Sequence, residues 1–252
     1  MPYFFMNLQE FFKFNPRCAV AFSGGVDSAY LLYAASKWAE DTCAYYVKSA
    51  FQPRFELEDA MRLASQLDVK MRVLTVDILE DKNVVSNSAD RCYYCKQQIF
   101  GSILKAAQSD GFTVLLDGTN ASDDEGDRPG MRALRELQVK SPLRDCGLVK
   151  SEIRALSREA GLFTWDKPSY ACLATRIPTG DLITQEKLQT TEAAEEYLFS
   201  LGFRDFRVRM TGDNARIQVK EDQTALLLEH REDILDELGR YYAGVLLDLK
   251  AR

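Results

Sequence analysis

Ser23-Gly24-Gly25-Val26-Asp27-Ser28 lies between an apolar run, Cys18-Ala19-Val20-Ala21-Phe22, and a helical pattern that begins Ala29-Tyr30-Leu31-Leu32. A strand, a glycine-rich turn and a helix in that order build an anion cradle. The glycines let the backbone turn tightly and approach a ligand closely. The unpaired N–H groups at the helix start, with the helix dipole behind them, favour phosphate. Ser23 and Ser28 add hydroxyl donors. No lysine follows the glycines, so this is not the GxxxxGK[ST] phosphate loop.

The surrounding pattern repeats the theme. Strands are expected at 18–22, 43–48, 71–77 and 113–117, with helices at 28–39, 55–67 and 93–109 between them. The strand segments are apolar with few interruptions, as strands covered on both faces should be. Strand and helix in alternation imply a parallel sheet with right-handed crossovers and ligands at the carboxyl ends of the strands. The glycine-rich turn is at one such end, and Asp117-Gly118-Thr119-Asn120 is at another, so the two should face one crevice. An earlier short helix over 7–14 should pack Leu8, Phe11, Phe12 and Phe14 inward. Residues 121–130 read as a polar surface loop, followed by helices at 131–137 and 150–160. Residues 164–182 show no clean period and read as a functional connector. From about 183 the order becomes a helix (184–200), a hairpin (206–210 and 215–219), a helix (223–239) and a strand (244–249). The expected division is 1–165 for an α/β nucleotide domain and 166–252 for the connector plus a small α+β domain.

With 252 residues and a net charge of −6, the chain can bury a large core and is poorly suited to track a long stretch of nucleic acid. No apolar run reaches the roughly 18 residues of a membrane span. The apolar start, Met1 to Met6, lacks a basic leader and a small-residue cleavage site, so it does not read as a signal peptide. Six cysteines beside a nucleotide site suit a reducing cytoplasm better than a disulfide framework.

The cysteines divide into two kinds. Cys18 and Cys43 sit inside strand patterns and read as packing residues, the preferred reading for Cys146 too. Cys92 and Cys95, in Arg91-Cys92-Tyr93-Tyr94-Cys95-Lys96, stand at a helix start, where a thiol is acidified and ligates metals well. From the residues alone, zinc and a redox dithiol both stay open. Zinc lacks a second CxxC, and the single histidine, His230, reads as a surface residue. Cys172 lies in the irregular connector with Arg176 four residues on, a cation placed to favour the thiolate.

Ser23 to Ser28 resembles the PP-loop of ATP pyrophosphatases, the adenine nucleotide alpha hydrolase-like fold, which adenylates substrates with release of pyrophosphate. RCYYCK (91–96), DGTNASDDEGDRPGMRA (117–133), PSYACLATRIPTG (168–180) and FRVRMTGDNARIQV (206–219) extend the likeness over nearly the whole chain. Together they resemble the LarE family, sulfur transferases of nickel-pincer nucleotide synthesis. The resemblance implies that a carboxylate of pyridinium-3,5-biscarboxylic acid mononucleotide is activated by ATP and converted to a thiocarboxylate. It implies pyrophosphate contacts from Ser23, Gly24, Gly25 and Ser28, with Gly118, Thr119 and Asn120 across the crevice. Asp27 would help place Mg²⁺. Arg207 and Arg209, on one strand face, would grip substrate phosphate in a forked arrangement; the alternative is ordinary solvent-facing charges on a half-buried strand. Glu195, preferred over Glu192, matches an active-site carboxylate, with Cys172 and Arg176 beside it. Cys92, Cys95 and Cys172 match the three-cysteine branch, whose thiolates hold a [4Fe–4S] cluster with one iron open for an extra sulfide. The alternative is Cys172 giving up its own sulfur. Sulfide or a sulfide donor is then the partner, and a homo-oligomer, a hexamer in relatives, is expected. Other activities remain in contention. A tRNA thiolase would want a basic RNA-binding segment, an amidating ligase would leave the three cysteines idle, and a nucleotide sensor would release no pyrophosphate.

Overall fold

The computed structural model describes residues 7–123 and 129–252. The reading of Met1 to Met6, and the middle of the 121–130 loop, lie outside the described residues. Asn7 caps α1 (Leu8–Phe14) through a reciprocal bond pair with Glu10. There follow β1 (Arg17–Ala21), α2 (Val26–Trp38), β2 (Asp41–Lys48), α3 (Arg54–Gln66) and β3 (Met71–Thr75). After a 3₁₀ turn at Ile78–Glu80 come α4 (Lys82–Val85), α5 (Arg91–Ser109), β4 (Leu115–Leu116), α6 (Pro129–Glu136), α7 (Pro142–Asp145) and α8 (Lys150–Glu159). A second 3₁₀ turn, Leu173–Arg176, precedes α9 (Gln185–Ser200), β5 (Arg207–Thr211) and β6 (Asn214–Gln218). A third, Glu221–Gln223, leads to α10 (Thr224–Glu229), α11 (Arg231–Leu238) and β7 (Gly244–Leu247).

The chain forms two compact units. The first comprises 1–78 and 90–167, the second 79–89 and 168–252. A single break after residue 165 was expected from the sequence; the segment 79–89 instead packs with the second unit. Its bonds show why. Asn87 donates to the carbonyls of Ile177 and Pro178, while Asn87 and Val85 accept from the amides of Gly180 and Ile183.

In the first unit, β3-β2-β1-β4 form a parallel sheet. Alternate residues of one strand serve opposite cores. Cys18 and Val20 join Phe12, Leu31, Leu32 and Ile153 on one face, while Ala19 joins Tyr45, Ile103 and Phe112 on the other. Burial on both faces is what the uninterrupted apolar strand patterns demanded. β4 is shorter than expected; on its far side Leu116 forms a parallel bridge with Lys140, whose carbonyl accepts from the Asp117 amide. Phe14 corrects an expectation: Leu8, Phe11 and Phe12 share the buried face of α1, and Phe14, two residues off that face, is 79% exposed.

The second unit packs α9 and α11 on the sheet β5-β6-β7, with β5 and β6 antiparallel and β6 and β7 parallel. Its core contains Leu198, Phe203, Phe206, Val208, Ile217 and Ile234. The helix expected over 223–239 is two helices joined at His230, which ends α10 and starts α11.

Candidate functional site

β1 ends at Ala21, and Gly25 is the N-cap of α2. Gly24 has φ +73°, and a Cβ there would press to 3.2 Å from the Glu56 carbonyl. Both facts call for glycine. The Ser28 hydroxyl ties the turn together, donating to the Gly25 carbonyl at 3.1 Å and accepting from the Ser23 amide at 3.3 Å. The Ser23 hydroxyl lies 3.1 Å from that of Ser28 and accepts from the Gly25 amide.

β4 neighbours β1, so the turn after it lies beside this loop. A Cβ on Gly118 would sit 2.8 Å from the Ser28 amide nitrogen, so only glycine permits this approach. Asp117 accepts from the hydroxyls of Ser141, at 2.6 Å, and Thr119. A cleft of about 240 Å³ is lined by Ser23, Gly25, Asp27, Ser28, Gly118 and Thr119, with Asp117 and Asp123 beside them. It lies at the carboxyl end of β1, where the strand order reverses: β2 and β3 are laid down on one side of β1 and β4 on the other, the usual ligand crevice of such sheets.

Asp27 lies in the first turn of α2. One oxygen is 2.5 Å from the Lys150 ammonium; the other is buried and has no hydrogen-bond partner. Burial raises its pKa, and Lys150 opposes that shift. An orphaned carboxylate oxygen in a phosphate cradle is suited to a hard cation. Lys167 donates to the Gly24 carbonyl at 3.3 Å and pairs with Asp59 at 2.6 Å.

The second unit holds a different constellation. The guanidinium of Arg176 pairs with Glu195 through two bonds, at 2.8 and 2.9 Å, and both residues are buried. Glu195 also accepts from the Val208 amide at 2.9 Å and from the Tyr170 hydroxyl. The Tyr170 ring is close to two guanidinium groups, 4.5 Å from that of Arg176 and 4.9 Å from that of Arg207. Cys172 caps the 3₁₀ turn; its carbonyl accepts from the Thr175 amide, the Thr175 hydroxyl and Arg176 Nη1. Arg207 donates to the carbonyls of Phe206 and Ser169, both at 2.5 Å, and Arg209 donates to that of Thr175 at 2.7 Å.

The model of the queuosine biosynthesis protein QueC family matches residues 17–94, which span the glycine-rich loop. An uncharacterized protein of Synechocystis sp. is 35% identical over 86% of this chain and 81% of its own length. The pyridinium-3,5-bisthiocarboxylic acid mononucleotide synthase of Lactiplantibacillus plantarum is 34% identical over 92% of this chain and 86% of its own. The chain belongs to the LarE family. A tRNA-specific 2-thiouridylase of Clostridium botulinum is more distant, 25% identical over 59% of this chain and 51% of its own.

As a LarE-family protein the chain is an ATP-dependent sulfur transferase, and its expected residues can be placed. Ser23, Gly25, Asp27, Ser28, Gly118 and Thr119 line one cleft. Asn120 does not; it is buried and shapes the loop by accepting from the Ser122 amide. Gly24 shapes the turn from behind. Glu195, Arg176, Arg207 and the Cys172 backbone belong to one cluster in the second unit, while Glu192 is half-buried on α9. Arg207 and Arg209 are not the solvent-facing charges of the alternative reading: Arg207 is 2% exposed and Arg209 half-buried. Cys92, exposed, and Cys95, half-buried, open α5 in the first unit; Cys172, half-buried, lies in the second. Among the described residues, no group of three or more His, Cys, Asp or Glu side chains is placed to hold a metal ion.

Sequence reasoning missed Lys150, Lys167, Tyr170 and Arg252. Lys150 carried a signal. It is the first residue of α8, where the helix dipole disfavours a cation, so its position needs another reason. Tyr170 and Arg252 carried none, since their roles come from tertiary packing.

Proposed function

We propose that this LarE-family chain converts a carboxylate of a pyridinium mononucleotide, as in pyridinium-3,5-biscarboxylic acid mononucleotide, into a thiocarboxylate at the expense of ATP. The observation that carries the reading is the first unit's cleft, where a phosphate cradle, an orphaned Asp27 oxygen and two obligatory glycines converge. The substrate class comes from the plantarum relative.

In the proposed reaction, the amides and hydroxyls of Ser23, Gly25 and Ser28 hold the β- and γ-phosphates. A substrate carboxylate oxygen attacks the α-phosphorus, and the bond to the β-phosphate oxygen breaks. Pyrophosphate leaves with the negative charge that the α2 N-terminus favours. A sulfur nucleophile then attacks the carbonyl carbon of the acyl-adenylate, and the bond from that carbon to the AMP oxygen breaks. Sulfide leaves the thiocarboxylate directly, whereas the Cys172 thiolate gives a thioester whose Cβ–S bond must break, with loss of the α-proton, leaving dehydroalanine at 172. Mg²⁺, held by Asp27, would supply charge neutralisation on the phosphates. Lys150, now on the other Asp27 oxygen, is within reach of the same site. In the second unit, Arg207 and Arg209 bind the substrate phosphate, and Glu195 with Arg176 positions the loop that carries Cys172.

The sulfur source has two candidates. The resemblance to the three-cysteine branch points to a [4Fe–4S] cluster on Cys92, Cys95 and Cys172. Among the described residues, no group of three or more His, Cys, Asp or Glu side chains is placed to hold a metal. The other candidate is the Cys172 sulfur itself. Iron and acid-labile sulfide per chain after anaerobic reconstitution decide between them: cluster-level iron assigns the three thiols to a carrier, and no iron assigns the sulfur to Cys172. The family also implies a hexamer, and six cysteines beside a nucleotide site suit a reducing cytoplasm. No described helix is long and apolar enough to cross a membrane.

The test is pyrophosphate release. The pyridinium biscarboxylate mononucleotide should stimulate it, and bulk tRNA should not. Stimulation by tRNA alone would move the chain to the thiolases.

A further inference from the structure

Four arginines of the second unit converge on the backbone of one short loop. Arg207 Nη2 and Arg252 Nη2 both donate to the Ser169 carbonyl, at 2.5 and 3.0 Å. Arg176 Nη1 donates to the carbonyls of Ala171 and Cys172, at 2.6 and 3.3 Å. Arg209 Nη1 donates to the Thr175 carbonyl at 2.7 Å. Cys172 sits in the middle of the carbonyls so held.

The charges are unbalanced. Glu195 answers Arg176, and Asp205 answers Arg252 at 2.5 Å. Among the described residues, Arg207 and Arg209 form no ion pair with a carboxylate. Arg207 is nonetheless buried, and Arg209 stands directly across the β5–β6 ladder from Arg216, a like-charge pair that destabilises a hairpin. The nearest carboxylate to Arg216 is Asp248, at 3.7 Å. The side-chain hydrogen bonds of Arg207 go to neutral carbonyls, and the Tyr170 ring and the nearby Glu195 charge offset its burial only in part, so an anion is what would relieve it. Burial and the neighbouring Arg176 and Arg252 pull Arg207 down to about 10, which leaves it charged at neutral pH.

We infer that Arg207 and Arg209 are positioning residues for Cys172: they clamp its loop until a phosphate anion competes for their N–H groups, and phosphate binding thereby sets the placement of the thiol. The inference rests on the reading above that these arginines bind substrate phosphate. A guanidinium has five donors in a fixed fork, and a phosphate oxygen is a stronger acceptor than a neutral carbonyl. Phosphate seated on this pair therefore weakens the bonds to Ser169 and Thr175. The loop then loses two of its clamps, while the Arg176–Glu195 pair keeps its base in place. Charge compensation and loop release are one event, so the thiol becomes available when substrate is present.

The test uses the full chain and inorganic phosphate. Phosphate binding is followed by calorimetry. Iodoacetamide modification of Cys172 is followed by mass spectrometry of its peptide, which separates it from the exposed Cys92. The expected result is a severalfold faster modification of Cys172 that saturates with the binding curve, with Cys92 unchanged. In Arg209→Ala the rate should already be high and no longer respond to phosphate; in Arg209→Lys a weaker response should remain. Hydrogen exchange of the 169–176 peptide in the unaltered chain, faster with phosphate, gives the same answer without a variant. Phosphate binding that leaves both the Cys172 rate and this exchange unchanged overturns the clamp while the phosphate site stands. Absence of phosphate binding overturns the site and the clamp together.

Discussion

Burial pushes the thiols of Cys18 and Cys146 up to about 11 and raises that of Cys43, so these three are poor nucleophiles at neutral pH. Cys92 is exposed. Peptide mapping after brief alkylation at pH 8 should find Cys92 modified and Cys18, Cys43 and Cys146 protected, with Cys146 gaining reactivity only as the pH approaches 11. Early modification of Cys146 would contradict its packing role. A second prediction concerns Gly118. Its added Cβ would meet the Ser28 amide at 2.8 Å, and that amide belongs to the backbone of the cradle. Gly118→Ala should weaken ATP binding by about tenfold, or about 1.4 kcal/mol, with little change in circular dichroism. Calorimetric titration measures it, and unchanged affinity would remove the 118–120 turn from the site. At this scale the sequence was informative where chemistry depends on local order: Ser23 to Ser28 is legible because its turn and helix cap lie within six residues. The cluster around Tyr170 was not legible, because its partners Glu195 and Arg207 come from 25 and more residues away and meet it only by packing.

Among the elements, α9, the 3₁₀ turn and β5 are joined by one carboxylate. Glu195 accepts from Arg176 twice, from the Val208 amide and from Tyr170. Removing it leaves a buried guanidinium without its partner. Glu195→Ala should cost about 3–5 kcal/mol in denaturant unfolding, with Glu195→Gln losing less. A small loss for Glu195→Ala would show that the site is wet and the pair dispensable. The elements themselves were read well where periodicity decides. The strands of the parallel sheet and the β5–β6 hairpin follow from apolar runs and from alternation. The errors fall at ends and joints. His230 divides what a continuous apolar period presented as one helix, and β7 stops at Leu247, before the exposed Leu249.

The whole molecule is discontinuous in sequence, because 79–89 belongs with 168–252. No local pattern announces this; it depends on Asn87 and Val85 finding the backbone of 177–183. A fragment of residues 168–252 should therefore melt less cooperatively than the same fragment with a synthetic 79–89 peptide, as followed by circular dichroism. Equal melting with and without the peptide would show that the second unit does not need it. The central claim, ATP-driven sulfur transfer to a carboxylate, is tested most directly by the mass of the product. The anaerobically reconstituted chain is incubated with ATP, Mg²⁺, sulfide and pyridinium-3,5-biscarboxylic acid mononucleotide, and the nucleotide is weighed by mass spectrometry. The account predicts a product in which one sulfur replaces one carboxylate oxygen, formed only with ATP and accompanied by AMP. AMP release with the carboxylate returned unchanged, or converted to an amide, would contradict it.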